Sequence, residues 1–424
     1  MRSILVSLCL LGVNISATLQ AQEWTRFRGP NGTGVSLSQK IPAKWTDKNQ
    51  QWKVQLPGLG HSSPVVWGDK VFLLSANPQD ATRYVLGYSA VDGRQLWVRT
   101  YASTAHHLHE RSSYASCTPA VDSERVYVAW STPEQTLLKA FDHDGNEEWS
   151  VDLGRWVSQH GFGTSPIVYG EMVILHDSQQ ADQLDPGVQP GESFMLAFDR
   201  RTGRELWRTP LVSKNVCYSV PFIFQPPSGR PELVCTSTGN GVFSLDPRTG
   251  EENWSIDVFQ MRTVNSPIFA GGHIFGSTGS GAYSSNYIVA VKPGKQAEVA
   301  FELKNGADFK APYVPCLIAK DNNVFLFYDR GFASCIDASS GKIHWFERTG
   351  GAFSGSPVMA GDRIYCIDEE GDVWVIAADP TKYRLLAKNA LGEPSRSTPA
   401  ISGDKMFLRT ESHLICIAGE AAGG

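Results

Sequence analysis

The sequence predicts an all-β fold, an eight-bladed β-propeller of four-stranded antiparallel blades whose ring is closed by an N-terminal strand in the last blade. Three observations predict it. A hairpin motif recurs eight times along the 424 residues, a second motif ending in tryptophan follows most copies, and one extra strand precedes the first copy. Four short strands in each repeat of roughly 40 to 50 residues are typical of a propeller blade.

The hairpin motif contains a small hydroxyl residue, a proline, two apolar residues, a Gly-Asp turn and a second apolar strand. Residues 63–72 and 356–365 are clear copies. Apolar β-formers on both sides of such a turn predict a hairpin, and proline is tolerated at the start of a strand. The copies are 42 to 55 residues apart, and their prolines are Pro64, Pro119, Pro166, Pro221, Pro267, Pro315, Pro357 and Pro399. Ser or Thr precedes six of them, and Val220 and Val314 precede the others.

The second motif runs from an Asp through a Gly-containing turn to a Trp, and residues 199–207 are its clearest copy. The fifth unit has Phe301 in the Trp position, and the seventh has only Tyr383 nearby. We interpret these tryptophans as structural, because an aromatic ring packed between blades buries a large apolar area. The predicted blade-docking residues are Trp52, Trp97, Trp149, Trp207, Trp254 and Trp345.

The last unit has no final Trp strand, whereas residues 51–55 supply a spare one before the first proline. Pairing the two ends hides two sheet edges that would otherwise invite aggregation. The sequence therefore predicts one propeller domain over 51–418, followed by a short tail, 419–424.

Residues 1–21 resemble a secretory signal peptide: Arg2 precedes an apolar stretch, and Ala21 ends a plausible cleavage site. The apolar stretch is shorter than the roughly 20 residues that span a bilayer. We therefore expect a periplasmic or secreted bacterial protein without a transmembrane segment. Residues 22–50 form an N-terminal arm, either a strap across a blade face or a segment that faces a ligand.

Seven cysteines follow the leader, and none are adjacent or in a C-x-x-C pair. Secretion would permit disulfides, but most of these cysteines lie in apolar runs, which favours small buried residues. The best candidate pair for a disulfide is Cys316 with Cys335. The seven are Cys117, Cys217, Cys235, Cys316, Cys335, Cys366 and Cys416.

The charge composition argues against one class of partner. The formal net charge is −5, and charged residues make up 19% of the chain, against about 25% in typical proteins. No basic field is available to gather phosphates, so we expect no nucleic-acid partner. We also expect a monomer.

The Ser-Pro-Val-Val-x-Gly-Asp strand pair, with the Asp-x-x-Thr-Gly-x-x-x-Trp element, closely resembles the pyrroloquinoline-quinone-type (PQQ-like) repeat over about 51–418. That repeat builds quinoprotein alcohol dehydrogenases and the propeller lipoprotein of the outer-membrane β-barrel assembly machinery. The segments 24–30 and 60–64 are also similar to secreted bacterial propellers of unassigned role. The resemblance implies the fold, and fold similarity does not carry function.

Quinoprotein dehydrogenases hold a quinone and Ca²⁺ near the ring axis, with an Asp base, acidic and amide ligands and usually a vicinal disulfide. This chain has no Cys-Cys pair, and no Asp, Glu and Asn set matches that pattern. We therefore assign no catalytic residue and expect no cofactor. PQQ and Ca²⁺ belong to an alternative hypothesis.

Residues just before each proline enter the innermost strand and are expected to ring one mouth of the central channel. Such a concave, mixed surface suits a small ligand or a peptide; the alternative is that these side chains plug the entrance. The predicted mouth residues are His61, Tyr114, Phe162, Tyr218, Arg262, Asn265, Tyr313, Phe353 and Arg396.

An insertion before the second proline contains His106, His107 and His109. Imidazole is a ligand for Zn²⁺, Cu²⁺ and Ni²⁺, so these three are candidate metal ligands, although the sequence shows no second ligand group. The alternative is a solvated loop or one that contacts the arm.

The leading hypothesis for function is a secreted or periplasmic, non-enzymatic scaffold that binds a protein or peptide partner, by analogy in envelope assembly. One alternative is a PQQ- and Ca²⁺-dependent dehydrogenase. Another is a sensor that binds a small molecule or a sugar.

Overall fold

A computed structural model describes residues 23–281 and 284–419 of the chain. Eight antiparallel sheets of four strands are arranged in a ring, so the predicted eight-bladed propeller is confirmed. The predicted signal peptide and nearly all of the predicted tail lie outside the described residues. No helix in 23–281 or 284–419 is long and apolar enough to cross a membrane.

Blades are numbered here in chain order, and their strands run from the channel outward. The strands of blades 1 to 4 are Val65–Trp67, Lys70–Ala76, Arg83–Ser89 and Gln95–Tyr101; Ala120–Val121, Arg125–Ser131, Thr136–Asp142 and Glu147–Asp152; Ile167–Tyr169, Met172–Asp177, Ser193–Asp199 and Glu205–Leu211; and Phe222–Phe224, Glu232–Ser237, Gly241–Leu245 and Glu252–Ile256.

The strands of blades 5 to 8 are Ile268–Ala270, His273–Thr278, Tyr287–Lys292 and Glu298–Lys304; Ile318–Lys320, Asn323–Tyr328, Phe332–Asp337 and Ile343–Arg348; Val358–Ala360, Arg363–Ile367, Asp372–Ala377 and Leu385–Ala390; and Ala400–Ser402, Lys405–Arg409, His413–Ala418 and Gln50–Gln55.

The ring closes between the two ends of the chain. Gln50–Gln55 pairs antiparallel with His413–Ala418, and Trp52 lies opposite Cys416. The closing strand predicted from the spare N-terminal segment is thereby confirmed.

The proline motif marks the start of the first strand in seven blades. In blade 6 the first strand begins at Ile318, so Leu317 occupies the proline position and Cys316 the hydroxyl position. The assignment of Pro315 to this slot was wrong by two residues, because the loop before the sixth hairpin carries its proline further upstream.

Seven of the eight outer strands carry one aromatic ring that packs against the next blade. The ring of Trp97 lies so close to Gly145 of blade 2 that a Cβ there would sit 2.5 Å from it, and its Nε1 donates to the His143 carbonyl at 2.9 Å. Gly145 also has φ +82°. The same ring-on-glycine contact joins Trp52 to Gly93, Trp149 to Gly203, Trp207 to Gly250 and Phe301 to Gly341.

Blade 7 departs from this pattern. Its register places Ala387 at the aromatic position, opposite Val375. Tyr383 precedes the strand and packs edge-on against Trp345, with 5.5 Å between ring centroids. The aromatic therefore belongs to the joint between blades 6 and 7.

All seven cysteines in the described part of the chain are buried and free. The predicted Cys316 to Cys335 disulfide is wrong, because the two lie at different levels of the blade. Cys316 is at the channel, where its Sγ accepts a hydrogen bond from the Ser266 N–H at 3.2 Å. Cys335 is in a third strand, opposite Trp345.

The arm crosses the ring at the far ends of the first strands. Trp24 exchanges backbone hydrogen bonds with Val66, and Val121 donates to the Thr25 carbonyl. Val35–Ser36 then adds a parallel strand to blade 7. The arm is thus a strap across the propeller, in contact with the inner strands of several blades.

Two buried arginines fasten this strap. Arg26 donates to the Pro221 carbonyl at 2.7 Å, and Arg28 donates to the Leu317 carbonyl at 2.6 Å. Both guanidinium groups are almost fully buried. The side chain between them, Phe27, lines the central cavity.

Candidate functional site

A belt of hydrogen bonds surrounds the channel. The backbone N–H of the residue two positions before each first strand donates to the hydroxyl or thiol at the same position of the next blade. Seven such bonds, of 3.0 to 3.2 Å, run from Ser63 to Thr118, Thr118 to Ser165, Val220 to Ser266, Ser266 to Cys316, Cys316 to Ser356, Ser356 to Thr398 and Thr398 to Ser63.

The eighth joint of the belt is interrupted. Ser165 faces blade 4, where Val220 supplies no acceptor, and no such bond is found there within the described residues. The preference for Ser and Thr before proline, visible in the sequence, is explained by this belt. The belt also fixes the wall of the cavity that it encloses.

The belt encloses a central cavity of about 640 Å³. Of the nine predicted mouth residues, the structure brings together five: His61, Tyr218, Arg262, Tyr313 and Arg396. The size lies within the range of about 300 to 1,000 Å³ that is usual for small-molecule sites.

The other four predicted residues do not line the cavity. Phe162 and Phe353 turn into the core, against Trp156 and Phe327 respectively. Asn265 is 1% exposed.

Tyr114, the fourth, turns away toward its own loop. Its hydroxyl donates to the His106 carbonyl at 2.5 Å and accepts from the His106 N–H. The Arg83 guanidinium lies over its ring, 4.8 Å from the centroid. Position relative to the proline does not decide which way a loop side chain points.

Arg262 is the central cation of the cavity wall. Its Nε donates to the Val216 carbonyl at 2.8 Å, and its Nη1 donates to His160 Nε2 at 2.7 Å and to the Tyr313 hydroxyl at 3.4 Å. Within the described residues its Nη2 has no hydrogen-bond partner. This geometry holds the guanidinium rigidly while leaving one edge of it available.

Two histidines of the cavity, His61 and His160, are neutral near pH 7. Burial, and then the charge of Arg262, lowers the pKa of His160 to about 4. Burial, and then Arg409 and Arg396, lowers the pKa of His61 to about 3. The positive charge of the cavity therefore comes from arginine.

Arg396 is held from the side by a carboxylate. Its Nη2 lies 3.3 Å from Glu369 Oε2, and Glu369 Oε1 accepts from the Ser354 hydroxyl at 2.5 Å. Burial opposes ionisation of Glu369, but these two hydrogen bonds prevail and lower its pKa. Arg396 Nε remains buried without a partner among the described residues.

Sequence reasoning missed several lining residues. His160 lies further upstream of its proline than the positions considered, and Arg330 belongs to the turn between the second and third strands of blade 6. Arg111 and Glu110 come from the insertion that was interpreted as a metal site or as a loop that is solvated or contacts the arm. A search of all loops on the same end of the ring would have included them.

The three candidate metal ligands do not converge. His106 Nδ1 is 2.9 Å from the Thr104 carbonyl, and the ring of His109 packs against that of His160, 4.7 Å between centroids. Across 23–281 and 284–419, no group of three or more His, Cys, Asp or Glu side chains is arranged to hold a metal ion. The structure assigns His109 to the cavity wall instead.

The family model described as outer membrane protein assembly factor BamB matches residues 191–308 and 311–421, just over half of the chain. The chain belongs to this BamB family of PQQ-like propellers. No curated protein matches the sequence.

Solved structures share the fold of this BamB-family chain. BamB from Moraxella catarrhalis is 13% identical, with a TM-score of 0.59, 88% of this chain covered and 98% of that one. Quinohemoprotein alcohol dehydrogenase from Comamonas testosteroni is 12% identical, with a TM-score of 0.65 and coverages of 95% and 82%. The computationally designed Ika8 protein is 12% identical, with a TM-score of 0.59 and coverages of 87% and 99%. At these identities the likeness shows the fold alone.

The residues do not fit the Ca²⁺ ion of a quinone and Ca²⁺ centre such as that of quinoprotein dehydrogenases. Ca²⁺ binds six to eight oxygen ligands, carboxylates prominent among them. Among the described lining residues Glu110 supplies the single carboxylate, and four arginines share the cavity with it. That donor set repels a divalent cation.

Proposed function

We propose that this protein is a non-enzymatic propeller of the bacterial cell envelope that binds a protein or peptide partner during outer-membrane protein assembly. The match to the BamB family model over most of blades 3 to 8 carries the proposal. The leader-like N-terminus supports a periplasmic location. The cavity chemistry, which does not suit Ca²⁺, weighs against the dehydrogenase alternative.

The outer edges of the blades offer a surface for such a partner. Each outer strand leaves one edge on the outside of the ring, and an extended peptide can add to a free sheet edge. Blade 7 has the most apolar edge: Leu385 and Leu386 are adjacent in its outer strand and are 44% and 36% exposed. We infer that the partner docks at the outer edge of blade 7.

Capture from envelope extracts tests this proposal. The full mature chain is expected to recover one reproducible partner, and the double variant Leu385→Ser, Leu386→Ser is expected to lose it. Val91→Ser is the matched control, because Val91 is 62% exposed in a turn of blade 1. Failure to recover a partner, or equal recovery by the double variant, would contradict the proposal.

A second measurement addresses the alternative function. We expect no dye reduction with alcohols when PQQ and Ca²⁺ are added to the purified protein. Stoichiometric quinone binding with alcohol-dependent dye reduction would replace the scaffold proposal with the dehydrogenase.

A further inference from the structure

The central cavity has chemistry that a scaffold alone does not need. Four arginines line it, Arg111, Arg262, Arg330 and Arg396, against one lining carboxylate, Glu110, while Glu369 lies behind the lining and pairs with Arg396. A protein with a formal net charge of −5 has therefore gathered positive charge at one enclosed place. Clefts lined by one sign of charge raise the local concentration of oppositely charged ligands.

The lining changes character with depth. Arg262 and Arg396 come from the loops that precede the first strands of blades 5 and 8, at one end of the channel. At the other end the arm crosses the first strands, and Phe27 lies against the cavity with Val220. The cavity thus has a basic mouth and an apolar floor.

Three buried polar atoms of the mouth lack partners among the described residues. They are His61 Nδ1, His160 Nδ1 and Arg396 Nε. These atoms are enclosed by the wall itself, so the groups that face a ligand in the cavity are the arginines. His160 Nε2 accepts from Arg262, which makes His160 Nδ1 the protonated donor atom.

We propose that the cavity binds a small organic anion with a carboxylate and an apolar body, the carboxylate at Arg262 and Arg396 and the apolar body on Phe27. Guanidinium groups bind carboxylates through paired, charge-assisted hydrogen bonds. The carboxylate belongs either to a free small acid or to the carboxyl terminus of a short peptide. The site goes beyond the proposed function, since it lies inside the ring and not on its outer edge.

Calorimetry on the purified mature chain at pH 7 tests this inference. The probes are 3-phenylpropanoate and a tripeptide ending in leucine, each paired with its neutral amide, and inorganic phosphate. We expect at least one acid to bind and its amide to bind at least about tenfold more weakly, the loss typical of a charged hydrogen bond. The two acids distinguish a free small acid from a peptide terminus.

Variants locate the site. Arg262→Gln and Arg396→Gln are each expected to weaken binding of the acid about tenfold or more, whereas Arg94→Gln, at an exposed turn, leaves it unchanged. Phe27→Ala is expected to weaken the acid and its amide in equal proportion, and it keeps the test valid if an arginine variant does not fold. Circular dichroism checks the fold of each.

Three outcomes would overturn the inference: equal binding of acid and amide, unchanged binding by Arg262→Gln, or phosphate binding as tightly as either acid. Because no partner protein is present in these experiments, failure here is distinct from failure of the proposed scaffold function.

Discussion

At the scale of single residues, the hydroxyl or thiol two positions before the first strand links neighbouring blades in seven of the eight cases. Its oxygen or sulfur accepts the backbone N–H of the preceding blade, and an N–H left unpaired in a buried position costs free energy. The belt has one gap, between Ser165 and Val220. The contribution of the belt to stability can therefore be tested by adding an acceptor at the gap and by removing one elsewhere.

Val220→Thr adds an acceptor of nearly the same shape at the gap. We expect it to raise the free energy of unfolding by about 1 kcal/mol, since Thr Oγ1 can accept the Ser165 N–H. Ser356→Ala removes the acceptor that Cys316 N–H uses at 3.1 Å and is expected to lower the free energy of unfolding by about 1 to 2 kcal/mol. Urea unfolding measures both free energies. If the two variants changed the free energy of unfolding in the same direction, the belt would not be stabilising the joints between blades.

Asp177 shows the cost of burying a charge. It is 2% exposed, its Oδ1 has no partner among the described residues, and burial raises its pKa to about 7. A carboxyl whose folded pKa is raised stabilises the fold below its unfolded pKa of about 3.9, and this contribution is lost as pH rises through about 7.

We therefore expect Asp177→Asn to raise the thermal midpoint at pH 8 and to raise it much less at pH 5. The neutral amide avoids the cost of ionising a buried group, roughly 2 to 4 kcal/mol above pH 7. Thermal unfolding of both proteins across pH 5 to 8 measures the difference. A gain that does not change with pH would mean that packing, rather than charge, explains it.

At the scale of elements, neighbouring blades are joined where an aromatic ring of one outer strand packs on a glycine of the next blade. Gly145 has φ +82° and leaves 2.5 Å between a built Cβ and Trp97, whereas Gly170 has φ +56° with nothing within 4 Å. Both glycines adopt the left-handed backbone, so Gly170 separates backbone strain from the clash.

Gly170→Ala is expected to cost about 1 kcal/mol, from backbone strain alone. Gly145→Ala is expected to cost a further 1 to 3 kcal/mol, roughly the penalty of overpacking. Urea unfolding compares them. Equal losses of unfolding free energy would show that the Trp97 ring shifts to accommodate the added methyl group at little cost.

The sequence predicted these elements because their signals are local. Phe301 was identified in the Trp position from its spacing, and its ring does lie on Gly341. Pro315 was assigned to the wrong position because it lies in a loop whose length differs from that of its counterparts, and such a loop can shift a residue without changing the blade. The cavity wall depends on several such loops together, so its arginines were found only in part.

At the scale of the whole molecule, the closing joint combines the arm, the spare strand and both ends of the ring. Trp24 and Ile41 of the arm share one core cluster with Trp52 and residues of blades 7, 8 and 1. Trp52 itself packs on Gly93 of blade 1 and lies 5.9 Å from the ring of Phe407. Blade 8 differs from the other blades because no turn connects its outer strand, Gln50–Gln55, to its third strand, His413–Ala418, so hydrogen bonds and packing alone hold the two together.

We therefore expect Trp52→Ala to destabilise the propeller more than Trp254→Ala does. The two rings are similarly buried, at 8% and 6% exposed, and truncating a buried Trp typically costs about 3 to 5 kcal/mol. The outer strand that carries Trp254 stays connected by a turn to its neighbour in blade 4, whereas Trp52 lies in a strand pair that no turn connects and whose separation frees two sheet edges. Hydrogen exchange should rise in His413–Ala418 for Trp52→Ala and stay local for Trp254→Ala. Equal losses with equally local exchange would mean that closure adds nothing beyond an ordinary joint.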